Sequence, residues 1–414
     1  MTSEFTLGDL QVTVDGIDLR DIRWQGVEAV RRIYPVFQDR NWTNRPFHID
    51  DCSIDAASDG LTIEASGRGS FDAEPLRWRV HAQVFATGIE YHFTAESTSS
   101  FLRNRLGLCV LHPMAAAGSS CRVEHTNGRH TNSTFPATIS PHQPFMDIRA
   151  ITHALPGGGE ATVRMTGDTF EMEDHRNWTD ASFKTYCTPI SLPFPVEVFP
   201  GATIEQHVSV TFTPGEAATS APSNTVTITL DDRITDLPRL GTCLSAESPT
   251  LSDEQVEQFA SLDLDHLRID LDPSAADAAD QLAAAAESAS RIGARLRVST
   301  TCADPDQLSA FAQTSAAICS RIDCWYVFST SHKVTPAEWA SSARTALGPG
   351  FDDVRLGGGT NLYFTELNRE PPDPLAFDVL NFSLNPQVHF FDDLTLIQNT
   401  VTQQVVALNA GELT

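Results

Sequence analysis

The feature that most restricts this chain is a change of hydrophobic period near residue 214. Upstream, apolar residues alternate with polar ones: Leu10, Val12 and Val14; Trp78, Val80, Ala82 and Val84; Ile89, Tyr91, Phe93 and Ala95; Val208, Val210 and Phe212. Successive side chains of a strand point to opposite faces, so each series predicts a strand with one buried face. Turn signals such as Asp15-Gly16 and Thr87-Gly88 separate the runs, which predicts an antiparallel β-sandwich over residues 1–214. A chain of 414 residues exceeds one ordinary core, so a second domain is expected.

The small, polar, proline-containing stretch 215–224 reads as a linker. In the remainder, 225–414, short apolar strand candidates (240–244, 267–271, 296–299, 325–328, 354–356 and 379–382) alternate with helices. Ser252 and Gln255 make a capping-box pattern, Gly293 ends an alanine-rich helix, and Thr335-Pro336-Ala337-Glu338 reads as N-cap, first-turn proline and capping glutamate before a stop at Gly348. Six such units of about 29 residues match the spacing of a (β/α)8 barrel. The fold class expected is therefore multidomain α and β: an antiparallel sandwich followed by an incomplete (β/α)8 barrel, two units short of closure, as in a truncated chain.

Net charge of −26 opposes nucleic-acid and anionic-membrane partners through long-range repulsion. No apolar run approaches a membrane span and no signal-peptide pattern opens the chain, so a cytoplasmic location is expected. The eight cysteines show no CxxC or zinc spacing and read as reduced, mostly buried thiols. Oligomeric state has no sequence signal.

The densest functional chemistry lies in GDTFEMEDHRNWTDASFKTY, residues 167–186. Strand alternation puts Glu171 and Glu173 on the face opposite Phe170 and Met172, and Arg176, Asn177, Trp178, Asp180 and Lys184 follow. Paired carboxylates beside a guanidinium and an amide suit acid–base work on a hydroxyl-rich or anionic ligand. A salt-bridged corner with Trp178 packed inward is the structural alternative. Asp39-Arg40-Asn41-Trp42-Thr43 echoes part of this run, and His142 and Asp147 lie in a proline-fixed loop where they suit a ligand or buried backbone groups.

These runs, with NRLGLCVLHPM, VEHTNGRH, FPATISPHQPFMDIRAITH, HLRIDL, GGGTNLYFTELNREPP and LNFSLNPQVHFFDD, resemble the D-apionate lactonase family along nearly the whole chain. The resemblance implies an N-terminal domain joined to a barrel, and hydrolysis of D-apionolactone to D-apionate in D-apiose catabolism. The substrate is then a small sugar lactone and the enzyme a carboxylic ester hydrolase. His175 stands where the family run has glutamine, and the family pattern continues beyond this chain.

A barrel carries its active site at the C-terminal strand ends. Those ends offer Asp270 and Glu366 as carboxylates and Asn361, Asn385 and His389 as binding groups. Capping a helix, or pairing with Arg268 or Arg369, is the structural alternative for each carboxylate. No GxSxG elbow occurs, so the candidate catalytic set is Glu366, Glu171, Glu173 and Asp270 acting on water. The candidate substrate-binding set is Arg176, Asn177, Trp178, Asp180, Lys184, His142, Asp147, Asn361, Asn385 and His389. No spacing specifies a metal, so neither metal nor cofactor is expected. Two other readings fit the same frame: a glycoside hydrolase-like barrel enzyme, and a non-catalytic sugar-binding fragment.

Overall fold

A computed structural model describes residues 2–69, 76–215 and 238–413. Apart from Gly215, the linker expected at 215–224 lies outside the described residues. The chain divides into two compact units. The first comprises Met1–Arg176, Asp180–Thr227 and Asp392–Thr402; the second comprises Asn177–Thr179, Ile228–Phe391 and Gln403–Thr414.

In the first unit, two antiparallel sheets share one core. One runs Thr2–Leu7, Leu10–Asp15, Asp18–Trp24, Val27–Asp39, Phe101–Pro113, Ser182–Tyr186, Glu171–Asp174, with Val196–Val198 also pairing to Phe101–Pro113. The other runs His130–Thr134, Ser120–His125, Ile148–Ala154, Gly159–Thr166, Thr203–Pro214, Gly88–Ser97, Leu76–Phe85, Gly60–Gly69, Phe47–Ala56. The alternating residues of the sequence supply the core: Leu10, Val12 and Val14 from one sheet meet Val80, Tyr91, Phe93, Val208 and Val210 from the other. Each such side chain, fully buried, contributes about 1.5–3 kcal/mol of hydrophobic transfer free energy.

The run at 167–186 opens with a backbone constraint. Gly167 has φ +93°, and a Cβ there would sit 2.0 Å from the Glu205 carbonyl oxygen. Only glycine combines that conformation with that approach. Beyond it, Phe170 and Met172 enter the core as the alternation predicts. Arg176, only 1% exposed, donates to both carboxylate oxygens of Asp174 at 2.8 and 2.7 Å. It also donates to the carbonyls of Pro136, Ala137 and Thr138 at 2.8, 3.1 and 3.2 Å. The guanidinium therefore ties two loop segments together from inside.

Two imidazoles are also buried in this unit. His112 Nε2 lies 3.1 Å from Thr185 Oγ1, and the His112 and His153 rings are 5.6 Å apart. Burial pushes His153 down to about 4, and burial with the nearby His153 holds His112 well below the usual imidazole range. Both are neutral in the folded chain at pH 7, whereas in the unfolded chain they protonate near the ordinary value of about 6.5. Stability from these two sites is therefore complete above that value. It falls as the pH drops from about 6.5 toward 4, by up to about 1.4 kcal/mol per pH unit for each group. Urea midpoints measured between pH 7 and 4.5 should fall less steeply in His153→Leu than in the parent chain; parallel curves would remove His153 from this account.

Among the described residues, the second unit holds six parallel strands in sequential order: Gly241–Leu244, His266–Leu271, Arg295–Cys302, Ile322–Ser329, Arg355–Tyr363 and Val379–Ser383. Helices Asp253–Ala260, Ala278–Ile292, Leu308–Ser315, Glu338–Leu347 and Phe364–Arg369 follow the first five in turn, and of the last helix, Asp393–Gly411, the second unit holds the part from Gln403 onward. Alternation sorts each strand. Leu267, Ile269, Leu271, Trp325 and Val327 pack in the core with helical residues such as Leu282, Ala286 and Ala343. Tyr326 and Phe328 form a separate cluster. The capping box at Ser252 forms as predicted, with Gln255 as its second member, and Gly293 closes its helix in the left-handed conformation. The cap expected at Thr335 does not form. That helix begins at Glu338 with Ala337 before it, because the Thr335 hydroxyl donates instead to the carbonyls of Val327 and Gly359 at 2.8 and 3.1 Å. Among the described residues, no helix is long and apolar enough to cross a membrane.

Candidate active site on the parallel sheet

Curvature of the parallel sheet can be read from one arginine. Arg268, on the second strand, donates to Asn361 Oδ1 on the fifth and Asn381 Oδ1 on the sixth, both at 2.9 Å. In a flat sheet these strands would lie about 14 and 19 Å away. An arginine cannot cover such spans, so the sheet curls and the face carrying Arg268 is concave. Arg268 also donates to Asp270 Oδ1 at 2.7 and 3.2 Å and to Ser299 Oγ at 3.2 Å. Its guanidinium carbon lies 5.5 and 5.9 Å from the ring centres of Tyr326 and Phe328. Gly357 makes room for this arrangement, since a Cβ there would meet the Tyr326 ring at 2.2 Å. The concave face is thus a polar cluster held by one cation, with carboxylate and amide oxygens gathered around it.

At the C-terminal ends of the fourth and fifth strands, Lys333 Nζ donates to Glu366 Oε1 at 3.0 Å. The Glu366 side chain is 13% exposed and that of Lys333 62%, so the carboxylate is sheltered while its partner reaches solvent. Glu366 sits in the first turn of Phe364–Arg369, where the unpaired N–H groups favour a negative charge. Ser329 and Ser331 hydroxyls each lie 3.1 Å from His332 Nδ1. A cleft of about 290 Å³ is lined by Thr301, Phe328, Ser331, His332, Lys333 and Asn361 among others, near the lower end of the range for small-molecule sites, about 300 Å³. The second unit also includes Asn177–Thr179. Within it, Asn368 Nδ2 donates to Asn177 Oδ1 at 2.9 Å, and the Trp178 ring lies 5.8 Å from Tyr363 and 6.1 Å from His389.

The opposite, N-terminal strand ends carry a different network. Asp323 accepts from Arg295, Arg297 and Arg355 at 3.0, 3.2 and 2.5 Å. Burial pushes its pKa up, but the hydrogen bonds and charges of these guanidiniums outweigh burial and hold it below the usual carboxylate value. In barrels this end carries stability rather than chemistry.

The sequence candidates separate by unit. Asp270, Asn361 and Glu366 lie at the C-terminal strand ends, Asp270 and Asn361 joined through Arg268 and Glu366 paired with Lys333. Asp270 does pair with Arg268, as its structural alternative held. Asn385 accepts from Gln387 N at 2.9 Å in a local turn, and His389 is placed beside Trp178. Apart from Asn177 and Trp178, which belong to the second unit, the remaining candidates belong to the first. Glu171 is fully buried: Tyr186 Oη and Ile190 N both donate to its Oε1, and Oε2 has no hydrogen-bond partner. Glu173 is half-buried, opposite Lys184 across the strand pair, and Lys184 is itself buried. The expected shared surface of Glu171 and Glu173 is therefore half interior. Asp180 Oδ1 accepts from Asn399 Nδ2 at 2.9 Å, and Arg176 is committed to Asp174 and three carbonyls. His142 and Asp147 are both exposed. The Asp147 carbonyl accepts from Thr126 N at 2.8 Å, a bond of its main chain and not of its side chain. The echo at 39–43 is not geometric: Trp42 has φ +65°, whereas in the second copy it is Thr179 that is left-handed, at +69°.

Sequence reading passed over Asn381, Tyr326 and Phe328 as members of the polar face. Alternation in HLRIDL, which sets Arg268 and Asp270 against Leu267, Ile269 and Leu271, is the signal that reaches this face; its amide partners three and four strands away carry none.

Comparison with known proteins bears on the whole chain. The model of the D-apionate lactonase N-terminal domain matches residues 1–215, and that of the D-apionate lactonase TIM barrel domain matches residues 240–413. A D-apionate lactonase of Brucella anthropi is 34% identical over an alignment 415 positions long, covering 94% of this chain and 67% of its own length. Among solved structures, a beta-arabinopyranosidase aligns with TM-score 0.36 at 9% identity, covering 88% of this chain and 68% of that one. A galactose mutarotase related enzyme from Lactobacillus acidophilus aligns with TM-score 0.33 at 9% identity over 52% of this chain and 98% of that one. Likenesses this weak carry no argument. With two domain models matched in order and a relative aligned along 94% of this chain, the chain belongs to the D-apionate lactonase family.

Proposed function

We propose that this chain opens a sugar-acid lactone, D-apionolactone, to D-apionate, with Glu366 as general base. The Lys333–Glu366 pair at the C-terminal strand ends, in a member of this family, is the observation that carries the reading. Glu366 takes a proton from water as the water oxygen bonds to the lactone carbonyl carbon, and the Lys333 ammonium faces the oxyanion that develops. Collapse of the tetrahedral intermediate breaks the ring carbon–oxygen bond. Glu366 then returns its proton to the departing alkoxide, leaving a hydroxyl and a carboxylic acid, which ionises to the carboxylate by releasing its proton to solvent. Arg268 acts as a positioning residue that presents Asp270, Asn361 and Asn381 to the hydroxyls of the substrate, and Trp178 and His389 flank the same unit. Neither a metal nor a cofactor has a step in this scheme.

A direct test incubates the purified chain with D-apionolactone, other aldonolactones and nitrophenyl glycosides, following acid release and chromophore separately. Acid release from D-apionolactone above the other lactones is the expected result. Chromophore release would transfer the site to a glycoside hydrolase, and silence on every substrate would leave a sugar-binding protein.

A further inference from the structure

The outer face of the larger antiparallel sheet carries a row of imidazoles. His81 on Leu76–Phe85, His92 on Gly88–Ser97 and His207 on Thr203–Pro214 stand directly opposite one another across three adjacent strands. Their neighbours along each strand, Val80 and Ala82, Tyr91 and Phe93, and Val208, point into the core, so alternation fixes the histidines outward. The His92 and His207 rings stack at 4.0 Å with 15° between their planes. Glu90, two residues before His92 and on the same face, brings its Oε2 to 2.5 Å from His207 Nε2. One ligand atom from each of Glu90, His92 and His207 lies within 4.8 Å of the other two. At the edge of the group, His81 Nδ1 is 3.5 Å from Glu64 Oε1, and its ring is 6.4 Å from that of His92.

We propose that Glu90, His92 and His207 form a binding site for a divalent transition-metal ion, with zinc as the probe, distinct from the lactone site. Two imidazoles and one carboxylate are the donor set that borderline ions such as Zn2+, Ni2+ and Cu2+ prefer over Mg2+ or Ca2+. Tetrahedral coordination at 2.0–2.2 Å needs donor atoms about 3.3 Å apart. From the present separations, 2.5 Å between Glu90 Oε2 and His207 Nε2 and within 4.8 Å for the set, side-chain rotation reaches that spacing, the first opening and the longer ones closing, because the strand register already sets the three Cβ positions. Register also gives the site its precision. His92 and His207 are a directly opposed pair, and Glu90 is the diagonal neighbour of His207, the two shortest cross-strand relations in an antiparallel sheet. The open fourth position faces solvent, so the ion exchanges with the medium and clamps Gly88–Ser97 to Thr203–Pro214 at the middle of the sheet. No hydrolytic step is assigned to it.

The test titrates Zn2+ alone into the full chain, stripped with a chelator and held at pH 7.5 in a non-coordinating buffer, by isothermal calorimetry. One equivalent should bind, and the melting temperature of the chain should rise with Zn2+ and return on chelation. His92→Ala and His207→Ala should each weaken the affinity by at least about tenfold, while His142→Ala, exposed elsewhere, leaves it unchanged. Because His92 is exposed and His207 half-buried, both variants should fold, and their metal-free melting temperatures verify it. Co2+ should give a visible tetrahedral band with the parent chain and none with the His92→Ala/His207→Ala double variant. Equal stoichiometry and affinity in parent and double variant, or no binding by the parent, would overturn the assignment.

Discussion

Glu366→Gln is expected to lower kcat for lactone hydrolysis by about 10²- to 10⁴-fold, with KM within a few-fold and the melting temperature nearly unchanged. Glutamine keeps the size of the side chain and a hydrogen-bonding oxygen for Lys333, but it cannot accept a proton from water. The same substitution at Glu171 should behave in the opposite way. That carboxylate is fully buried and receives the Tyr186 hydroxyl and the Ile190 amide, so Glu171→Gln should lower thermal stability while kcat stays within a few-fold. Measuring kcat, KM and melting temperature for both variants separates chemistry from architecture. If Glu171→Gln lost kcat with intact stability and Glu366→Gln did not, the general base would belong to the antiparallel unit and the assignment made above would fail.

Arg176→Met should destabilise the first unit by about 3–5 kcal/mol. The reason is the charge left behind. Asp174 is 1% exposed and its pKa is raised, because burial outweighs the Arg176 hydrogen bonds and charge and the Ser140 and Arg176 amides that lower it. Removing the guanidinium deletes the partner of both carboxylate oxygens and orphans the carbonyls of Pro136, Ala137 and Thr138. Asp174 then protonates or draws in water, either at a cost. Thermal unfolding followed by tryptophan fluorescence should show a transition roughly 10 °C lower, at about 2–4 °C per kcal/mol for a unit of this size. The double variant Arg176→Met/Asp174→Leu should recover part of the loss, since no buried charge remains unpaired. A loss below about 1 kcal/mol in the single variant would mean that the network contributes little beyond the packing of its aliphatic stem.

The architecture was legible because its signals are local. Period-two alternation from Leu10 to Phe212 depends only on backbone geometry, and the core of the antiparallel unit contains those same residues. The six parallel strands likewise follow short apolar runs, and the caps at Ser252 and Gly293 need no more than four neighbouring residues. Where a local signal failed, at Thr335, a tertiary partner had claimed the hydroxyl: two carbonyls from other strands hold it in place of its own helix.

Composition and spacing by themselves determined two halves of different grammar, a family resemblance carried by long runs, and a set of carboxylates with no ranking among them. Only the tertiary structure decided the ranking. It buried Arg176 with Asp174, took Glu171 inside, and drew Asp270, Asn361 and Asn381 around Arg268 from strands up to four positions apart. The physical reason is that burial and charge pairing depend on distances across the fold. Sheet curvature sets those distances, and no pattern along the chain encodes which side chain four strands away an arginine will meet.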